Sequence, residues 1–205
     1  MICKKCIFLA IFLISIKCFS QSKKTGDITN VAKANFFGPG ISYEKRVGKL
    51  QSLYAQAFGA LSGYLAFSGD NGPGTRSGLY IDPALAIQYR YYYNYKQREA
   101  KGKRTEMNSL NYVCPIWQTV FSNASISSDY LTEGKRRAIN LLGVAWGLQR
   151  NYKKRFSLDL NLGAGYILAK TTTTISGQLV NKNIGKATTI GHLALGFWIN
   201  KKNRS

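Results

Sequence analysis

The chain has 205 residues, enough for one domain, and carries 29 Lys and Arg against 9 Asp and Glu. That basic excess suits anionic partners, but no recognisable motif interleaves the charges with aromatics, so nucleic-acid binding is not expected. One His and four Cys give no ligand spacing for zinc, and no cofactor or metal is expected.

Lys4 and Lys5 precede an apolar run from Ile7 to Ile16, and Cys18-Phe19-Ser20 follows it. This is the anatomy of a cleaved secretory signal over 1–20, too short for a membrane helix. Cleavage after Ser20 removes three Cys and three Lys, leaving Cys114 alone and 26 basic residues against 9 acidic. Residues 21–29 read as a polar lead-in. No later apolar run reaches the ~20 residues of a spanning helix, so a membrane form must cross with strands.

The predicted strands follow in order. Residues 30–38 are the weakest, and Gly38-Pro39-Gly40 turns the chain into 41–46. A long strand covers 50–67, and 68–78 is a Gly-rich loop. In 79–93, Leu79, Ile81, Pro83, Leu85, Ile87, Tyr89 and Tyr91 share one face, opposite Asp82, Ala84, Ala86, Gln88 and Arg90. Pro83 has no amide donor, which predicts a bulge there. One or two helical turns are expected over 95–103, ending at Gly102. Strands over 111–121 and 138–149 flank a polar loop at 122–137.

Residues 156–169 contain the clearest pattern. Leu158, Leu160, Leu162, Ala164, Tyr166 and Leu168 alternate with Asp159, Asn161, Gly163 and Gly165. Side chains alternate across a strand, so one face is apolar and the other polar or empty. A Thr- and Asn-rich loop is expected over 170–186, then a last strand over 188–200 and a basic tail, 201–205. The fold class is all-β: an eight-stranded antiparallel up-and-down transmembrane β-barrel over 30–200 with a filled interior. Short or basic connections follow strands two, four and six, and longer polar ones follow three, five and seven.

The run Lys101-Gly102-Lys103-Arg104-Thr105, followed by Asn108-Ser109 and Asn111-Tyr112, resembles small outer-membrane β-barrel proteins of the Bacteroidota. The architecture is similar to the eight-stranded domain of the outer-membrane protein A class. The resemblance implies an eight-stranded barrel of unsettled function, and the signal with the alternating strands predicts Sec-type export to the outer membrane of a Gram-negative bacterium. Partners would be the barrel-assembly machinery and outer-membrane lipid, including lipopolysaccharide, with the protein a monomer.

Glu44, Arg90 and Asp159 fall on inward parities at matching depths and should form an interior ion-pair network, because a buried unpaired charge is costly. Asp82, Gln88, Asn161 and His192 are further interior polar positions, with Asp82 expected to reach water near the outer mouth. Tyr80 and Trp198 are also expected inside. Arg104, Lys135, Arg136, Arg137, Lys153, Lys154 and Arg155 are candidate lipid head-group contacts. Some small barrels remove acyl chains from lipid A with a His and a Ser on one strand, but position 194 is Ala194, so the pair is absent and no enzyme is expected. The expected role is non-enzymatic, structural or loop-mediated. The alternatives are a narrow pore or a barrel for a small apolar ligand, then a lipid A-modifying enzyme or a soluble lipocalin-like barrel with its faces inverted.

Overall fold

The computed structural model describes residues 28–66, 76–124, 132–175 and 178–200. The proposed signal, most of the lead-in and the basic tail lie outside them. Eight strands run β1 Val31–Phe37, β2 Gly40–Arg46, β3 Gln51–Ala66, β4 Arg76–Tyr91, β5 Asn111–Ala124, β6 Thr132–Asn151, β7 Phe156–Ile175 and β8 Gln178–Trp198. All pairs are antiparallel, each strand pairs with its neighbours in sequence, and β1 pairs with β8 to close the ring. The residues that begin β1 and end β8 lie at one end, here called the base. No helix among the described residues is long and apolar enough to cross a membrane.

Alternation sorts the side chains as the sequence predicts, and it fixes which face is which. Along β4, Ile81, Leu85, Ile87, Tyr89 and Tyr91 are exposed, whereas Asp82, Ala84, Ala86, Gln88 and Arg90 are buried. Leu162, Tyr166 and Leu168 point outward from β7, and Asp159 and Asn161 point inward. The ring is therefore apolar outside and polar inside, the reverse of a soluble globular protein.

The strands differ in height. β1 and β2 have seven residues each, and β8 has 21. The first hairpin ends at the turn of Gly38, whose φ of +62° suits glycine, and Pro39. The last β1–β8 pair is Phe37↔Leu195 and the last β2–β3 pair is Gly40↔Phe58. Beyond that level β3 and β8 continue without a strand paired between them among the described residues. On the other side the wall is tall. Thr171–Thr174 and Ile175 pair with Gln178–Lys182, so much of the loop expected over 170–186 is a hairpin. Likewise β5 runs to Ala124 and β6 starts at Thr132, which shortens the loop expected over 122–137. Thr, Val and Ile favour extended backbone, which lets these segments form strands although their sequence lacks apolar alternation.

The bulge expected at Pro83 is absent: Pro83 pairs with Gly59 in unbroken β3–β4 register. Its missing donor is tolerated because the recorded β4–β5 ladder stops one residue earlier, at Ala84↔Val120. Pro115 has a similar effect, since that ladder also breaks between Gln88↔Ile116 and Tyr91↔Val113.

The base is closed by the β4–β5 connection. Helix α1, Tyr95–Ala100, ends near Gly102, whose φ is +59°, as the sequence suggests. Beyond it Asn108 clamps the backbone of Thr29, with its side-chain amide donating to Thr29 O and accepting from Thr29 N, both at 2.7 Å. Ile28, Tyr92, Tyr95, Leu110 and Tyr112 pack together at this level.

Candidate functional site

Four charged side chains are buried just above the base: Lys33 on β1, Glu44 on β2, Arg90 on β4 and Asp159 on β7. They balance, two cations against two anions. Arg90 Nη1 lies 2.9 Å from Asp159 Oδ2, and Lys33 Nζ lies 3.0 Å from the same oxygen. Tyr112 donates to Asp159 Oδ1 at 2.7 Å, so both carboxylate oxygens are engaged.

Glu44 joins through an intermediary. Gln149 Nε2 donates to Glu44 Oε2 at 3.1 Å, while Gln149 Oε1 accepts from Arg90 Nη1 at 2.8 Å and from Lys33 Nζ at 2.5 Å. A carboxamide offers a donor and an acceptor, so it can link an anion to two cations. Ser52 and Tyr92 each donate to Glu44 Oε1 at 2.6 Å. Arg90 is further held by Gln88, which accepts from Nε at 2.8 Å, and by two rings. Its guanidinium carbon lies 3.6 Å from the Tyr54 ring centroid and 4.2 Å from that of Tyr112. A guanidinium stacks on aromatic faces in this way because it is planar and weakly hydrated.

The expected trio of Glu44, Arg90 and Asp159 is thus brought together, with Gln88 beside it. Lys33, Gln149 and the three tyrosines were not among the expected members. Asp82 is buried and accepts from Ser122, which corrects the expectation that it reaches water. Asn161 and His192 face inward as a directly opposed pair on β7 and β8. His192 meets Phe58 edge-on at 5.3 Å, near the end of the first hairpin. The buried polar atoms of Asn161 and both ring nitrogens of His192 have no hydrogen-bond partner among the described residues, and neither do Asn35 Nδ2 and Gln56 Nε2. Ala86, which pairs with Gln56, and Cys114 and Ala145 are buried small residues of the same interior. Trp198 is buried, donates to Tyr152 O at 3.0 Å and lies under Arg155. The side chain of Tyr80 lies outside the described residues.

The proposed head-group contacts divide between the two ends. At the base, Lys153, Lys154 and Arg155 are exposed in the β6–β7 turn. Arg104 donates to Asn151 O at 2.7 Å and pairs with Glu106 at 2.7 Å. At the far end Arg136 is exposed, Arg137 donates to Thr172 and Asn181, and the side chain of Lys135 lies outside the described residues.

The buried ion-pair network is bonded within itself. Its tyrosines and carboxylates are saturated by mutual contacts, and no nucleophile lies within hydrogen-bond reach of His192 among the described residues. No group of three His, Cys, Asp or Glu that could hold a metal is present among the described residues. No family model, curated protein or solved structure matches the chain.

Proposed function

We propose that the protein is a non-enzymatic outer-membrane β-barrel with a sealed base, serving a structural role or one mediated by its tall far-end hairpins. The observation that carries this reading is the inverted polarity of the ring. The outward row from Leu158 to Leu168 covers about 34 Å at ~3.4 Å per residue, or about 26 Å of height at a strand tilt near 40°. That matches the ~25 Å apolar band of outer-membrane barrels. Outward Trp117, Trp146, Tyr89, Tyr91 and Phe197 add the aromatic residues that interfaces favour.

The same inversion argues against a soluble lipocalin-like barrel, which would turn its apolar residues inward. It also argues against a cage for an apolar ligand, since the interior is lined by charges and carboxamides. The charge-neutral network above the base favours a plug over a pore, because side chains fill a narrow eight-stranded barrel. Resemblance to Bacteroidota outer-membrane proteins, Sec export and assembly as a monomer by the barrel-assembly machinery belong to this proposal.

Fractionation of expressing cells tests it. The protein should sediment with outer membranes, resist extraction by salt and carbonate, and run faster on gels when unheated. Recovery in the periplasm as a detergent-free soluble protein would overturn the reading.

A further inference from the structure

Along β6 the outward residues Leu142, Val144, Trp146 and Leu148 pair with the outward row of β7, and the next outward residue toward the base is Arg150, opposite Leu158. The apolar outer surface of this strand therefore ends on a guanidinium. Higher on the same strand Trp146 Nε1 donates to Tyr93 OH at 2.7 Å, and both rings are exposed. Aromatic rings with a cation beneath them are what the edge of a membrane favours.

Arg150 is held by neutral acceptors. Its Nη1 donates to Gln149 O and its Nη2 to Asn111 Oδ1, each at 2.7 Å. The neighbour that acts on it most strongly by charge is another cation, Arg98 on α1. Arg98 is likewise held by a carbonyl, with Nε and Nη2 donating to Arg104 O at 3.3 and 3.1 Å. Arg104 Nε donates in turn to Asn151 O, one residue past Arg150, which ties the segment after α1 to the end of β6. Neither Arg98 nor Arg150 has an ion pair among the described residues. Glu106 pairs with Arg104, and Glu99 Oε1 accepts from Tyr95 at 3.5 Å. Two partly buried cations are thus fixed near each other with no anion between them. Like charges in that position repel, and an anion shared by both would relieve the repulsion. A guanidinium has five N–H donors, so each fork, held along one edge, keeps donors for it.

We infer that Arg98 and Arg150 together bind the phosphate of a glycerophospholipid whose acyl chains lie along Val113 and Val144 beside Trp146. Val113 pairs with Trp146, and both valines are outward and exposed. The inference rests on the membrane reading above and adds to it a specific lipid site at the base. Arginine suits the role because its planar fork can rest one edge on carbonyls and offer the other to two phosphate oxygens. A lipid phosphate is favoured over a free one because Arg150 closes an apolar row.

The test uses the full exported protein purified in dodecyl maltoside, with phosphatidylglycerol added as the probe and binding read by native mass spectrometry. Saturable binding of one lipid is expected. Loss of charge-assisted hydrogen bonds should weaken it about tenfold or more for diacylglycerol, which lacks the phosphate, and for the Arg98→Gln/Arg150→Gln double variant. Lys49→Gln/Lys96→Gln removes the same charge from exposed positions at the base and should bind as the parent does. Heat-modifiable mobility of each variant reports that it has folded. Arg98→Gln alone leaves the wall untouched and should still weaken binding. Equal binding by the folded double variant would overturn the inference, and so would an equal loss in the lysine variant, which would mean diffuse attraction. Displacement of the lipid by micromolar inorganic phosphate would also overturn it. Those outcomes leave the membrane reading intact. A protein that needs no detergent would instead defeat the membrane reading and this inference together.

Discussion

Lys33 on β1 and Asp159 on β7 meet at 3.0 Å although they stand 126 positions apart and β8 lies between their strands. The pair therefore spans the seam where the ring closes. That seam has the fewest register pairs of any ladder in the ring, four between β1 and β8, with a shift between Asn35 and Phe37. A charge pair behind the seam ties β1 to the wall beyond its own neighbour.

Replacing Lys33 with Met removes one cation and leaves two buried carboxylates to share Arg90. Breaking such a pair costs about 3–5 kcal/mol. The variant should unfold at lower urea concentration in detergent, and amide exchange should accelerate first in β1 and the adjoining end of β8. Exchange that rises evenly around the ring would show that Lys33 does not hold the seam.

Arg90 should tolerate no substitute. Arg90→Lys keeps the charge, but it loses the Nε bond to Gln88 and the flat stacking between Tyr54 and Tyr112. Both Arg90→Lys and Arg90→Met should destabilise, Met the more, by about 3–5 kcal/mol. In planar bilayers the parent should give rare, small openings and Arg90→Ala longer ones. Stable wide openings of the parent protein would mean that the network is not a plug.

Much of this network is legible in the sequence, and its gaps have physical causes. Glu44, Arg90 and Asp159 stand out because each is a charge on the polar parity of an alternating strand. Lys33 does not, since β1 is short and its pattern of Ala32, Lys33, Ala34 fits either face. Gln149 and the tyrosines are ordinary strand residues until the ring brings them together. The tall hairpin reads as a loop because Thr171–Thr174 are polar on both faces. Alternation of apolar and polar residues is what marks a strand in the sequence, and a run of threonines carries none.

Gly147 supplies a packing test. It pairs with Tyr112, and a β-carbon placed on it would overlap the Tyr112 ring. That ring cannot retreat without releasing Asp159 and Arg90. Gly147→Ala should therefore destabilise by about 1–3 kcal/mol, the usual cost of overpacking. Unchanged urea unfolding would show that the ring has room to move.

His192 should have no hydrolytic role. Lipid A from cells overproducing the protein should keep its mass, and His192→Gln should leave it unchanged. Loss of an acyl chain that depends on His192 would identify an esterase instead.

Contact of the apolar outer face with lipid can be read from the three tryptophans. Trp117 and Trp146 are outward and exposed, whereas Trp198 is buried at the base. Variants that keep one Trp and carry Phe at the other two positions would be reconstituted in liposomes whose acyl chains are brominated near the middle. Bromine quenches indole on contact. Strong quenching of Trp117 by the lipid is expected, with weaker quenching of Trp198 and little quenching of Trp117 by aqueous iodide. Trp117 emission that iodide quenches and brominated lipid does not would contradict lipid contact.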